Sequence, residues 1–288
     1  MCDSDTNQGF IVDTSFTRRS VVLTMSSAAA LVGLPGCALA ANVTETDVMV
    51  PTPDGSADAV LIHPAGSGSW PAVLMWPDIL GLRPVFREMG RRLASAGYTV
   101  LMPNPFYRNK RAPVVTGPFD FNDRKQFEPL MQLKATLTDA AIDKDATAFL
   151  AFLDAQKQTN RRKGAGVQGY CFSGPFAFRT AAARSDRIRA VATFHGGGLV
   201  TKEASSPHLL IAKTKASFVV AIARNDDAKQ PEAKDVLKST FAAAKRPALV
   251  EVFPADHGWC VPGGPAYDHA SAEKAWSELL RLYRSNLA

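Results

Sequence analysis

The chain has 288 residues, 46% of them hydrophobic, and a formal charge of +6, which is enough apolar side chain for one substantial core in a domain of roughly 250 residues. Its lysines and arginines are scattered apart from two short clusters, Arg108-Asn109-Lys110-Arg111 and Arg161-Arg162-Lys163. The basic stripe interleaved with aromatics that a nucleic-acid surface needs is missing, and only two of the four cysteines, Cys171 and Cys260, lie beyond residue 40, too few for a disulfide scaffold.

Residues 1–40 read as a leader and not as part of the fold. Arg18-Arg19 precedes a moderately apolar stretch, and Ala38-Leu39-Ala40 is a small-x-small cleavage site ahead of Ala41; the pattern resembles a twin-arginine export signal. The apolar stretch 21–34 is interrupted by Thr24, Ser26, Ser27 and Gly33, too short for a permanent membrane span of about 20 apolar residues. Leu34-Pro35-Gly36-Cys37 also resembles a lipoprotein box, which leaves cleavage after Ala40 or lipidation at Cys37 as alternatives. The expectation is a periplasmic or secreted protein handed to the twin-arginine machinery, with residues 41–288 as a single domain. Only Cys171 and Cys260 then remain.

Residues 43–63 suggest two strands around a turn at Pro53-Asp54-Gly55. The run 71–76 is apolar throughout, as in a strand buried on both faces, and it ends at Pro77-Asp78-Ile79-Leu80-Gly81. Helical spacing of Phe86, Met89, Leu93 and Ala94 predicts a helix over 85–96, stopped by Gly97, before a second buried strand at 98–102. Residues 109–127 are rich in Pro, Gly, Asp and Arg without a period and suggest a lid or excursion. One long helix is expected over 131–158, followed by strand 163–168, a helix from Pro175, strands 188–194, 217–223 and 248–253, a helix over 232–244 and a last helix over 270–286. This alternation predicts an α/β fold with a doubly wound, mostly parallel sheet.

Gly169-Tyr170-Cys171-Phe172-Ser173-Gly174 falls where strand 163–168 must turn sharply into a helix. It has the form of a nucleophile elbow, with flanking glycines preventing collisions between strand and helix. The helix dipole at such a site favours a thiolate. Asp226 (or Asp227) and His257 follow two later strands, so the order nucleophile, acid, histidine gathers at one sheet edge. His195 sits in a Gly-rich turn and His269 at a helix start, and both rank below His257. His257-Gly258-Trp259-Cys260 has the beginning of a metal-ligand spacing, but no second paired set accompanies it.

Together, the elbow 169–174, Asp226, Ala255-Asp256-His257-Gly258 and the tail from Ala266-Tyr267-Asp268 to Ala275-Trp276 resemble the dienelactone hydrolase family of α/β-hydrolases across nearly all of 41–288. The resemblance implies hydrolysis of a small ester or lactone by Cys171, Asp226 and His257 through a thioacyl intermediate, without a metal or organic cofactor. It further implies that Asp78 pairs with the resting nucleophile and that the amides of Ile79 and Phe172 form the oxyanion hole. It selects Asp226 over Asp227, three residues after Ala223. In dienelactone-type members two arginines hold the substrate carboxylate. Arg108, with Tyr107 beside it, matches the first, whereas the second position is Val261.

Two other readings keep the fold. One is a periplasmic redox sensor in which Cys171 and Cys260 form a reversible disulfide, and the other is a binding module without catalysis.

Overall fold

The computed structural model describes residues 42–287; the leader-like segment with Arg18-Arg19 and Ala38-Leu39-Ala40 lies outside them. Strand β1 (Val43–Thr52) and strand β2 (Gly55–Pro64) form the expected antiparallel hairpin, with Gly55 at φ 140°, a conformation glycine alone adopts freely. Strands β3 (Ala72–Trp76) and β4 (Thr99–Pro103) are buried along their whole length, as their unbroken apolar sequences require. Strands β5 (Ala165–Tyr170), β6 (Ile188–Phe194), β7 (Ser217–Ala223) and β8 (Ala248–Phe253) complete one sheet of order β1-β2-β4-β3-β5-β6-β7-β8. Pairing is antiparallel at β1/β2 and β2/β4 and parallel from β4 through β3 to β8.

Helices cover both faces of the sheet. Helix α1 (Pro84–Ser95) packs on β2 and β4, and its apolar side brings Phe86, Leu93 and Ala94 into one core with Tyr283 and Leu279. On the opposite face lie helix α3 (Asp139–Ala155) and helix α4 (Gly174–Ala183), whose Phe149 and Phe178 share a second core with Trp76 and Val167.

The long helix expected over 131–158 is in fact two: α2 (Arg124–Ala135) and α3. The break lies at Thr136-Leu137-Thr138, where the Thr138 hydroxyl accepts the Ala141 amide at 3.2 Å and caps α3. Short hydroxyl side chains compete with helical hydrogen bonding in this way, and an apolar period alone does not reveal it. Helix α2 also takes up the end of the segment read as aperiodic, starting at its N-cap Asp123. Helices α5 (Arg224–Lys229), α6 (Ala233–Ala243) and α7 (His269–Asn286) finish the domain. Among the described residues no helix is long and apolar enough to cross a membrane.

Parallel register fixes where the chemistry can sit. Trp76 aligns with Gly169, Tyr170 with Phe194 and Ala223 with Phe253, so the residues that leave these strands emerge along one edge of the sheet.

Candidate active site

Strand β5 passes into a single 3-10 turn, Cys171–Ser173, and then directly into α4. Cys171 is held at φ 56°, a left-handed conformation that costs a non-glycine residue of order 1–3 kcal/mol and persists only where its surroundings enforce it. Backbone packs closely around the turn, and two glycines permit it. A Cβ on Gly169 would lie 2.2 Å from the Ser173 carbonyl oxygen, and one on Gly174 would meet Thr193 Oγ1 at 2.5 Å and Gly196 Cα at 2.7 Å. The position two after Cys171 is Ser173, with the second glycine one residue later. The fully buried Ser173 hydroxyl accepts the Tyr170 amide at 2.9 Å and faces the carbonyls of Tyr170 and Trp76 at 2.9 and 3.1 Å. That hydroxyl ties the elbow to the end of β3.

His257 follows β8 on a loop anchored by Trp259, which is fully buried and stacks on Phe253 at 4.7 Å. The Asn225 side chain accepts the His257 amide at 2.8 Å. His257 Nε2 lies 3.1 Å from Cys171 Sγ, and its Nδ1 lies 2.6 Å from Asp226 Oδ2. Asp226 stands in α5 and not in an open turn, while its neighbour Asp227 points elsewhere and pairs with Lys234 at 2.7 Å. Burial disfavours a charged imidazole at His257, but the hydrogen bonds to Asp226 and Cys171 outweigh it and raise its pKa to about 10. Such a chain can shuttle a proton between sulfur and a leaving group while the carboxylate fixes the ring.

Three expected site residues have other partners. Asp78 makes a bidentate pair with Arg83, at 2.5 and 2.8 Å, and accepts the Leu80 amide at 3.0 Å; no hydrogen bond joins it to Cys171, whose sulfur meets His257. The carboxylate is captured by an arginine five residues on, and with the Gly81 amide on the Asp78 carbonyl at 2.8 Å it shapes the turn carrying Ile79. Ile79 and Phe172 do line the same cavity as Cys171 and His257. Arg108 and Tyr107 do not. Both terminal guanidinium nitrogens of Arg108 reach Asp145 at 2.8 Å, one of them also meets Asp54, and the Tyr107 hydroxyl donates to Asp145 at 2.8 Å. Asp145, almost fully buried on α3, thus draws both residues into a structural ion cluster away from the cavity.

His195, set aside as a turn residue, is the site's unforeseen member. It sits at φ 41°, is 1% exposed, and packs edge-on against His257 with ring centroids 4.9 Å apart. Neither ring nitrogen has a hydrogen-bond partner. Burial, and then the charge on His257, hold its pKa well below the usual histidine range, so a neutral ring faces the imidazolium. Its position immediately after β6 was the only sequence signal. Cys260 opens into a separate small cavity with Tyr170, Arg92 and Trp276, where burial pushes its thiol pKa up; both cysteines are free. Among the described residues no group of three or more His, Cys, Asp or Glu could hold a metal ion.

The sheet order, the elbow and the strand-end thiol, imidazole and carboxylate have the arrangement of an α/β-hydrolase. A sequence profile described as the Dienelactone hydrolase family matches residues 57–287, and the chain belongs to that family of ester and lactone hydrolases. A carboxymethylenebutenolidase from Rhodococcus opacus is 26% identical over 227 residues, covering 77% of this chain and 83% of that protein. A relative from Methylorubrum extorquens is 24% identical, with 94% of each chain covered. In fold, the chain resembles the dienelactone hydrolase-like promiscuous phosphotriesterase P91 from metagenomic libraries, with a TM-score of 0.70 at 22% identity over 85% of this chain and 99% of that one.

The hydrogen bonds to His257 predict its titration. NMR of the imidazole should give a pKa near 10, falling in Asp226→Asn and unchanged in Asp227→Asn. Because the folded value lies above the ordinary 6.5, the stabilisation from this ring is complete below pH 6.5 and is lost as pH rises through about 10. Thermal unfolding across that window should show the loss in the wild type and much less of it in Asp226→Asn; an imidazole titrating near 6.5 in the wild type would contradict the geometry.

Proposed function

We propose that this hydrolase cleaves its ester or lactone with Cys171 as nucleophile, His257 as proton carrier and Asp226 as the group that orients His257. The carrying observation is the continuous chain from Sγ through the imidazole to the Asp226 carboxylate, at 3.1 and 2.6 Å, beneath a strained elbow. Cys171 sulfur attacks the carbonyl carbon as His257 Nε2 takes the thiol proton; a C–S bond forms and the carbonyl π pair moves onto oxygen. The amides of Ile79 and Phe172 are the donors proposed for that oxyanion. Collapse breaks the carbon–oxygen bond, and the leaving alkoxide takes the Nε2 proton. Water, deprotonated by His257, then cleaves the thioester, releasing the acid and returning the sulfur to its pair with the imidazole.

The redox-sensor reading has less support, since Cys171 and Cys260 line different cavities. A binding module would need neither a strained thiol nor a histidine whose two nitrogens are both committed. Export remains part of the proposal, resting on Arg18-Arg19 and Ala38-Leu39-Ala40.

Replacing Cys171 by Ala should lower kcat on a generic aryl ester by at least about 10³-fold, since members of such a unit fail together, with the melting temperature nearly kept; Cys260→Ala should stay active. A folded Cys171→Ala protein with substantial turnover would refute the assignment. For export, protein recovered from the periplasm should begin near Ala41, and replacing Arg18 and Arg19 by Lys should leave it in the cytoplasm; soluble full-length chain as the sole form in the native host would exclude processing.

A further inference from the structure

The cavity above Cys171 has a volume of about 1120 Å³, somewhat larger than the roughly 300–1,000 Å³ pockets that enclose drug-sized molecules. A bare lactone ring would leave most of it empty. Apolar side chains of the segment between β4 and α3, Phe119, Phe121, Phe127 and Met131, line it together with Phe172 of the elbow and Phe176 of α4. Phe121 packs edge-on to both Phe119 and Phe127, at 4.9 and 6.4 Å, and remains 50% exposed, a large aromatic surface whose other side opens to solvent. Phe172 stacks on Phe106 at 5.7 Å and meets Phe176 edge-on at 5.0 Å, so the elbow side of the cavity is aromatic as well.

Apart from Lys134, the charges around this cavity are already engaged. Asp78 and Arg83 neutralise each other through two hydrogen bonds, and His257 is held between Asp226 and Cys171. Arg108 is bound into the Asp145 and Asp54 cluster outside the cavity. Position 261, which lines the cavity, is valine. Lys134 is the remaining cation of the lining and is itself solvent-exposed. A carboxylate carried into this aromatic wall would lose its hydration without gaining a buried partner, a loss that apolar surroundings do not offset.

The geometry points to an uncharged ester bearing a medium-length hydrocarbon chain or an aromatic ring as the substrate class of this enzyme, with the hydrophobic part lodged among Phe119, Phe121, Phe127 and Met131. This rests on the proposed action of Cys171 for turnover, but its binding component stands on the cavity alone. Burial of one methylene is worth about fourfold in affinity when complete, and a partly open cavity yields a fraction of that. The aromatic segment therefore sets selectivity by chain length, and the paired Asp78 and Arg83 withhold the anion site that an acidic substrate would need.

Two measurements test this on the full protein. The first compares kcat/KM for p-nitrophenyl acetate, butyrate, hexanoate and octanoate with the mono-p-nitrophenyl ester of suberic acid, which has the octanoyl length and ends in a carboxylate. The expected result is a rise of about two- to fourfold per methylene up to hexanoate, and at least tenfold slower turnover of the suberate ester than of the octanoate. In Phe127→Ala and Met131→Ala the ratio of octanoate to acetate turnover should drop severalfold; a ratio does not depend on the fraction of folded enzyme. The second measures binding of N-phenyloctanamide and of its carboxylate-terminated counterpart to wild-type protein, where the neutral amide should bind at least tenfold more tightly. Preference for the neutral amide without any ester turnover would uphold the substrate class for binding while refuting the role of Cys171. A flat chain-length profile, or a preference for the suberate ester that Lys134→Gln abolishes, would overturn the proposal.

Discussion

The left-handed backbone at Cys171 is the constraint on which the rest of the site depends. A strand buried among its neighbours must reverse into a helix within three residues, and it does so only because Gly169 and Gly174 let backbone approach backbone at distances no side chain would permit. The Ser173 hydroxyl fastens that turn to β3. The thiol consequently projects from the sheet edge at the beginning of α4. Strain stored there is balanced by two well-packed cores, one on each face of the sheet.

Electrostatics then follow from what the parallel register brings alongside. The residues leaving β7 and β8 deliver Asp226 and His257, and the pair holds a proton on the imidazole far above its ordinary pKa. His195, leaving β6, contributes a buried neutral ring against that imidazolium. The turn after β3 has a different job: Asp78, neutralised by Arg83, shapes the backbone carrying Ile79. Neutralising that carboxylate also leaves the cavity mouth without a fixed net charge on this side.

Much of this was legible in the sequence, because alternation of strand and helix specifies a parallel sheet and a parallel sheet gathers its strand ends. The glycine-flanked elbow singled out Cys171, the strand ends added His257 and either Asp226 or Asp227, and family resemblance chose Asp226; in the structure the two carboxylates do face different partners. Partnerships across long sequence distances could not be read. Arg108 matches a substrate-binding position, yet Asp145, 37 residues later on another element, claims it. Asp78 has the right place in the chain, but Arg83 takes both its oxygens. The break between α2 and α3 was hidden because Thr138 caps a helix whose apolar period continues on either side. His195 looked like a turn residue since its partner ring arrives from 62 positions away in sequence.

The central claim is that Cys171 becomes covalently acylated during turnover. It is tested most directly by mixing the enzyme with a slowly deacylating aryl ester, quenching with acid within the first turnover, and mapping the adduct by peptide mass spectrometry. The account predicts a mass increase equal to the acyl group less one hydrogen, confined to the peptide holding Cys171 and released by hydroxylamine as a thioester. An acyl group found on another residue, or steady turnover with no adduct on Cys171 at any quench time, would contradict it.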